Sequence, residues 1–122
     1  MKLLNQLFEI VETSGQDSGF STTIKIFPEH IVFKGHFPGY PVTPGVILLQ
    51  IVHEFIEHKL GKKIKLKVMI NCKFLKIVSP REETLLTILI CLNVKENIIH
   101  AKASGEIKSE PFLKLNAIYF VE

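Results

Sequence analysis

Hydrophobic and polar positions change period twice along the chain, and the changes divide it into elements. Phe20, Thr22, Ile24 and Ile26 alternate with Ser21, Thr23 and Lys25, which predicts a half-buried strand. From about Pro44 or Gly45 to Leu60 the period becomes helical. Val46, Ile47, Leu48, Leu49, Ile51, Val52, Phe55, Ile56 and Leu60 occupy most of that helix's circumference. A helix so apolar is covered by its neighbours on most sides. Gln50, Glu54 and Glu57 form its one polar stripe, flanked by His53 and His58. Thr43 and Pro44 suit the cap and first turn, and Gly61 suits the stop.

After Gly61 alternation returns. Ile64, Leu66, Val68, Ile70, Cys72 and Phe74 alternate with Lys65, Lys67, Met69, Asn71 and Lys73, predicting a long strand with two distinct faces. Ser79 to Glu82 reads as a turn, and Thr84 to Val94 as a strand with Leu86, Ile88, Ile90 and Leu92 on one side. Lys95 to Asn97 turns, and Ile98 to Lys108 and Phe112 to Val121 complete an antiparallel meander. At the start, residues 3–13 read as a short helical turn followed by a strand, and Ser14 to Gly19 as a turn by composition. Pro28 to His30 turns the chain again.

One buried helix and five or six mostly antiparallel strands leave few arrangements. The simplest is an α+β domain in which a curved sheet wraps a long central helix. Pairing two such sheets across a two-fold axis helps bury their edges. That is a hotdog fold, and a homodimer or a higher oligomer of dimers is expected. The 122 residues suit one such domain, 1–122, without repeats or linkers.

Composition narrows the function classes. The net charge of +3 is modest. Seven lysines fall between Lys59 and Lys76, giving either a solvated strand face or a docking patch for an acidic partner. The cluster has little aromatic interleaving, which argues against nucleic acid. Apolar runs fall far short of a membrane span, and the first residues lack the apolar core of a signal peptide. Cys72 and Cys91 lack metal-like spacing and lie in apolar runs, so buried reduced thiols and a cytoplasmic location are expected. His53 and His58 do not share a helix face, so no metal site is expected. His30 and His100 read as surface residues at strand ends.

The chemistry concentrates between Gly35 and Gly45. Three of the six prolines and three of the seven glycines stand in these eleven residues, which specifies one backbone path. His36 stands at its entrance and the helix start at its exit, a titratable base opposite free backbone N–H donors.

The run Gly35-His36-Phe37-Pro38-Gly39-x-Pro41-x-x-Pro44-Gly45-Val46 resembles the active-site signature of the β-hydroxyacyl-acyl-carrier-protein dehydratases of the FabA/FabZ type. Lys73 to Pro80 resembles that family's strand leading into a Val-x-Pro turn. The resemblance implies elimination of water from a 3-hydroxyacyl thioester, giving the trans-2-enoyl product in fatty acid or related acyl-chain synthesis. It implies no cofactor beyond the phosphopantetheine arm of an acyl carrier protein, the expected partner. His36 would be the base that takes the C2 proton, and the Gly45 N–H would hold the thioester oxygen. Phe37, Pro38, Gly39, Tyr40 and Val46 would line the substrate site, with Tyr40 either gating the acyl tunnel or packing against it.

At the acid the chain departs from the pattern. Six residues after Pro44, where the family has Glu or Asp, stands Gln50, and a carboxamide supplies no proton. Four residues on, where the family typically has Gln, stands Glu54, on the same helix face. Three readings follow: an active dehydratase using Glu54, an impaired subunit that binds acyl chains or pairs with a complete dehydratase, and a hotdog thioesterase.

Overall fold

The structure is a computed structural model that describes residues 3–16, 18–30, 33, 43–79 and 85–122. A six-stranded sheet and one long helix, α1 (Gly45–Leu60), form the α+β architecture. The strands are β1 (Phe8–Gln16), β2 (Gly19–Ile26), β3 (Ile64–Phe74), β4 (Leu85–Lys95), β5 (Ile98–Ile107) and β6 (Glu110–Val121). Their order is β1-β2-β4-β5-β6-β3, and every neighbouring pair is antiparallel.

The predicted alternation of β2 is the observed one, with Phe20, Thr22, Ile24 and Ile26 all buried. Leu86, Ile88, Ile90 and Leu92 of β4 are buried as predicted, and the β4–β5–β6 meander forms. These side chains join one core with Ile47, Leu48, Ile51, Val52, Phe55 and Ile56 of α1. Strands reach the helix from several sides. Phe8 of β1 meets Phe55 edge-on at 5.4 Å, Tyr119 of β6 meets His53 at 5.7 Å, and Lys59 lies 5.1 Å from the Phe20 ring centre. The sheet therefore surrounds the helix, and the helix hides the inner face of the sheet from water.

Some elements differ from expectation. β1 runs on through Ser14, Gly15 and Gln16, which pair with Ser21, Phe20 and Gly19, so the polar composition marks exposed ladder rather than a turn. Backbone pairing needs no apolar side chain, and composition alone missed it. β3 does not have two distinct faces. It is an edge strand, mostly exposed on both sides, and register shifts between Leu66 and Val68 and between Met69 and Asn71 break its alternation. Both cysteines are free, but Cys91 is exposed on the outer side of β4 and Cys72 is only half-buried. An apolar run in a strand has two faces, and Cys91 takes the outer one. His100 is no free surface residue either. It is half-buried, with Nε2 2.6 Å from Asn116 Oδ1 across the β5–β6 pair.

The helix ends as a stop signal predicts. Gly61 adopts φ 66°, and its N–H donates to Glu57 O. The start differs. Pro44 is the N-cap, no side chain caps the turn, and the Thr43 hydroxyl is buried without a hydrogen-bond partner. Among the described residues no helix is long and apolar enough to cross a membrane.

Candidate active site

The end of the sequence motif, Pro44 to Val46, forms the N-terminus of α1. Thr43 N–H donates to Val78 O at 2.8 Å, which pins the chain immediately before the helix. Ile47 and Leu48 N–H groups both donate to Pro44 O, and no acidic residue lies in the first turn. A helix start without a side-chain cap presents N–H donors and the positive end of the helix dipole. The Phe74 ring lies directly over Gly45. A Cβ built there would stand 2.7 Å from Phe74 Cζ, so glycine is what lets the ring approach. Val46 projects outward, 68% exposed. His36, Phe37, Pro38, Gly39 and Tyr40 lie outside the described residues.

One turn further along, Gln50 and Glu54 are brought together. Gln50 Nε2 donates to Glu54 Oε2 at 2.9 Å. Glu54 is not a solvated helix carboxylate, being only 6% exposed. Leu3 N–H donates to both of its oxygens, at 2.9 and 2.7 Å, and Leu4 N–H donates to Oε1 at 2.9 Å. These N–H groups open a helical turn in which Gln6 and Leu7 N–H groups donate back to Leu3 O. The first N–H groups of such a turn have no partner within it. Glu54 supplies one from 51 residues away, as an N-cap would locally. Both oxygens are thus committed to N–H donors, which is an anchoring role rather than a proton-donating pose.

A cleft of about 560 Å³ opens beside this pair, between the second half of α1, the N-terminal turn and the start of β3. Gln50, His53, Glu54 and Glu57 line it, with Lys62, Lys63 and Glu122 at its rim. Glu57 is fixed at the mouth, because its Oε2 accepts from Ile64 N–H at 3.0 Å. The same oxygen lies 3.5 Å from His53 Nε2. Behind His53 stands Tyr119, whose hydroxyl is pushed up to about 12, first by burial and then by the neighbouring Cys72. Burial also raises the Cys72 thiol. His53 carried no role in the motif reading, although its spacing of four from Glu57 on an exposed face was a visible signal.

Residues 12–109 match the ApeI-like family, described as ApeI dehydratase. Among curated proteins, the chain is similar to the 3-hydroxyacyl-[acyl-carrier-protein] dehydratase FabZ of Thermoanaerobacter sp. (strain X514), 29% identical over 85 residues. That match covers 64% of this chain and 59% of the relative. FabZ of Wolbachia pipientis wMel is 33% identical over 91 residues, covering 64% and 62%. The chain thus spans about three fifths of the length of these relatives. Among solved structures, "The Dehydratase Heterocomplex ApeI:P from Xenorhabdus doucetiae" superposes with a TM-score of 0.75 at 16% identity, over 91% of this chain and 96% of that one. A hypothetical thioesterase with coenzyme A from Streptococcus pneumoniae superposes at 0.67 and 15% identity, over 94% and 85%. At these identities the structural likenesses establish the hotdog fold alone.

Proposed function

This chain belongs to the ApeI-like dehydratase family, and we propose that it is a hydro-lyase subunit acting on 3-hydroxyacyl thioesters carried by an acyl carrier protein. The product is the trans-2-enoyl thioester of fatty acid or related acyl-chain synthesis. The observation that carries the reading is the start of α1, where the motif's glycine opens a helix that no side chain caps. The Gly45 N–H binds the thioester oxygen, and charge developing there in the transition state is stabilised by the donor and the helix dipole. His36 takes the proton from C2. Phe37, Pro38, Gly39, Tyr40 and Val46 shape the approach of the acyl chain. Two hotdog subunits form the working unit, each site joining the loop histidine of one to the helix face of the other. Lys62, Lys63, Lys65, Lys67 and Lys73 are exposed and offer a surface for an acidic carrier protein. Free cysteines fit work in the cytoplasm.

The test is conversion of a carrier-bound 3-hydroxyacyl thioester by the purified protein, followed through the enoyl absorbance. Wild type turns over, His36→Ala does not, and rising salt weakens the carrier-bound reaction. Unchanged turnover in His36→Ala would remove the base assignment.

A second reading is favoured by Gln50 at the family's acid position. In it the chain is half of a heterocomplex and contributes His36 to the one complete site. Turnover that appears only on mixing with a complete dehydratase would establish that arrangement.

A further inference from the structure

The elimination needs an acid on the helix face, and neither residue at the expected height offers one. Gln50 has no proton to give, and both Glu54 oxygens point at the N–H groups of Leu3, Leu4 and Gln50. The next titratable group on that face is His53, three residues and about 4.5 Å of helix rise beyond Gln50. It lines the same cleft as Gln50.

Two contacts orient the His53 ring, and a third fixes its partner. Nε2 stands 3.5 Å from Glu57 Oε2, close enough for charge to act yet long for a closed hydrogen bond. Ile64 N–H fixes the Glu57 carboxylate at 3.0 Å. Tyr119 supports the ring edge-on at 5.7 Å. The side chain remains 24% exposed towards the cleft. A partly exposed imidazole, paired with an anchored carboxylate and backed by an aromatic wall, is the arrangement of an acid–base histidine.

We infer that His53 is the general acid of this helix face, replacing the carboxylic acid missing at Gln50, with Glu57 as its positioning residue. The inference rests on the dehydratase reading. The loop histidine of the opposite subunit accepts the C2 proton, and the electrons of that C–H bond form the C2–C3 double bond. The C3–O bond breaks, and the departing hydroxyl takes a proton from the His53 imidazolium and leaves as water. One histidine has gained a proton and the other has lost one, and exchange with solvent restores both. A water spans any remaining gap between His53 and the hydroxyl. Gln50 stays beside the reaction as a polar neighbour held by Glu54.

This assignment makes the chain competent without a partner of another sequence, and it is tested on the protein alone with a trans-2-enoyl thioester in the hydration direction. His53→Gln lowers kcat about 100-fold, while KM, oligomeric state and thermal midpoint hold near wild type. Adding Gln50→Glu to that variant returns the acid to the family's position and recovers at least about tenfold of the loss. His53→Asn makes the same test should the glutamine variant misfold. Glu57→Gln keeps an acceptor for Ile64 but removes the charge, and lowers kcat about tenfold at unchanged KM. Full kcat in His53→Gln overturns the assignment, and so does failure of Gln50→Glu to restore it. Wild type that is inactive alone but active when mixed with a complete dehydratase overturns it too, and leaves the dehydratase reading standing. Inactivity in both arrangements removes both readings.

Discussion

The Leu3 N–H donates to both carboxylate oxygens of Glu54, at 2.9 and 2.7 Å, and so ties the turn at Leu3–Leu7 to the middle of the central helix. With Leu4 N–H and Gln50 Nε2 added, removing this carboxylate strands several buried or half-buried donors at once. Glu54→Ala is expected to cost about 3 kcal/mol, and Glu54→Gln, which keeps one acceptor oxygen, about half as much. Urea unfolding measures both. Hydrogen exchange should show the Leu3 and Leu4 amides losing protection first. A Glu54→Ala protein as stable as wild type would dismiss the anchor.

Gly105 and Phe112 make a second close fit. A Cβ on Gly105 would stand 2.4 Å from Phe112 Cζ, and Phe112 is fully buried, so its ring cannot swing away. Gly105→Ala is expected to destabilise by about 2–3 kcal/mol through overpacking. Gly19 has nothing within 4 Å of its would-be Cβ. Gly19→Ala therefore serves as the control, with a change within about 0.5 kcal/mol.

Tyr119 gives the fold an alkaline limit. Its hydroxyl is pushed from 10.0 up to about 12 in the native protein. Between those values the unfolded chain has lost a proton that the folded chain keeps, so stability falls as pH rises. The contribution is whole below pH 10 and declines as pH rises, by about 2 kcal/mol at pH 12. Tyr119→Phe should flatten this part of the stability–pH curve. An identical slope in that variant would place the alkaline transition elsewhere.

β3 carries Leu66, Val68 and Ile70 at 45–48% exposure on an edge strand, with half-exposed Phe74 just beyond. A long apolar edge left open invites pairing with another strand. Sedimentation is expected to give a dimer or a multiple of it for wild type. The Val68→Glu, Ile70→Glu double variant should give a monomer with its far-ultraviolet spectrum intact. A monomeric wild type at micromolar concentration would leave the two-subunit site without support.

Legibility from sequence followed how local each cause was. Phe20, Thr22, Ile24 and Ile26 announce β2 because one strand's alternation is decided by one sheet face. Val46 to Leu60 announces the helix for the same reason, and its bounds were read to within a residue. The motif from Gly35 to Val46 pointed to the helix start through spacing alone. What stayed hidden was decided at a distance. No local pattern says that Glu54 meets Leu3, or that β3 ends up at an edge with its register shifted twice. The β5–β6 turn was legible in place, between Lys108 and Phe112, but not in type. Lys108 and Ser109 both adopt positive φ, 50° and 69°, where Asn and Gly are the residues that advertise such a turn.

The strand order also sets a timetable. Among the described strands β3 pairs with β6 alone, with Ile64 opposite Val121 and Phe74 opposite Leu113. During synthesis the helix and β3 emerge well before that partner exists, so the sheet cannot close until β6 has left the ribosome. Pairing this distant in sequence slows folding. For that interval the nascent chain carries an apolar helix with an incomplete sheet to cover it, which is the form most exposed to aggregation and to chaperones. A truncation that removes β6 would therefore cost the protein its order of assembly as well as two ladders of hydrogen bonds, to β5 and to β3.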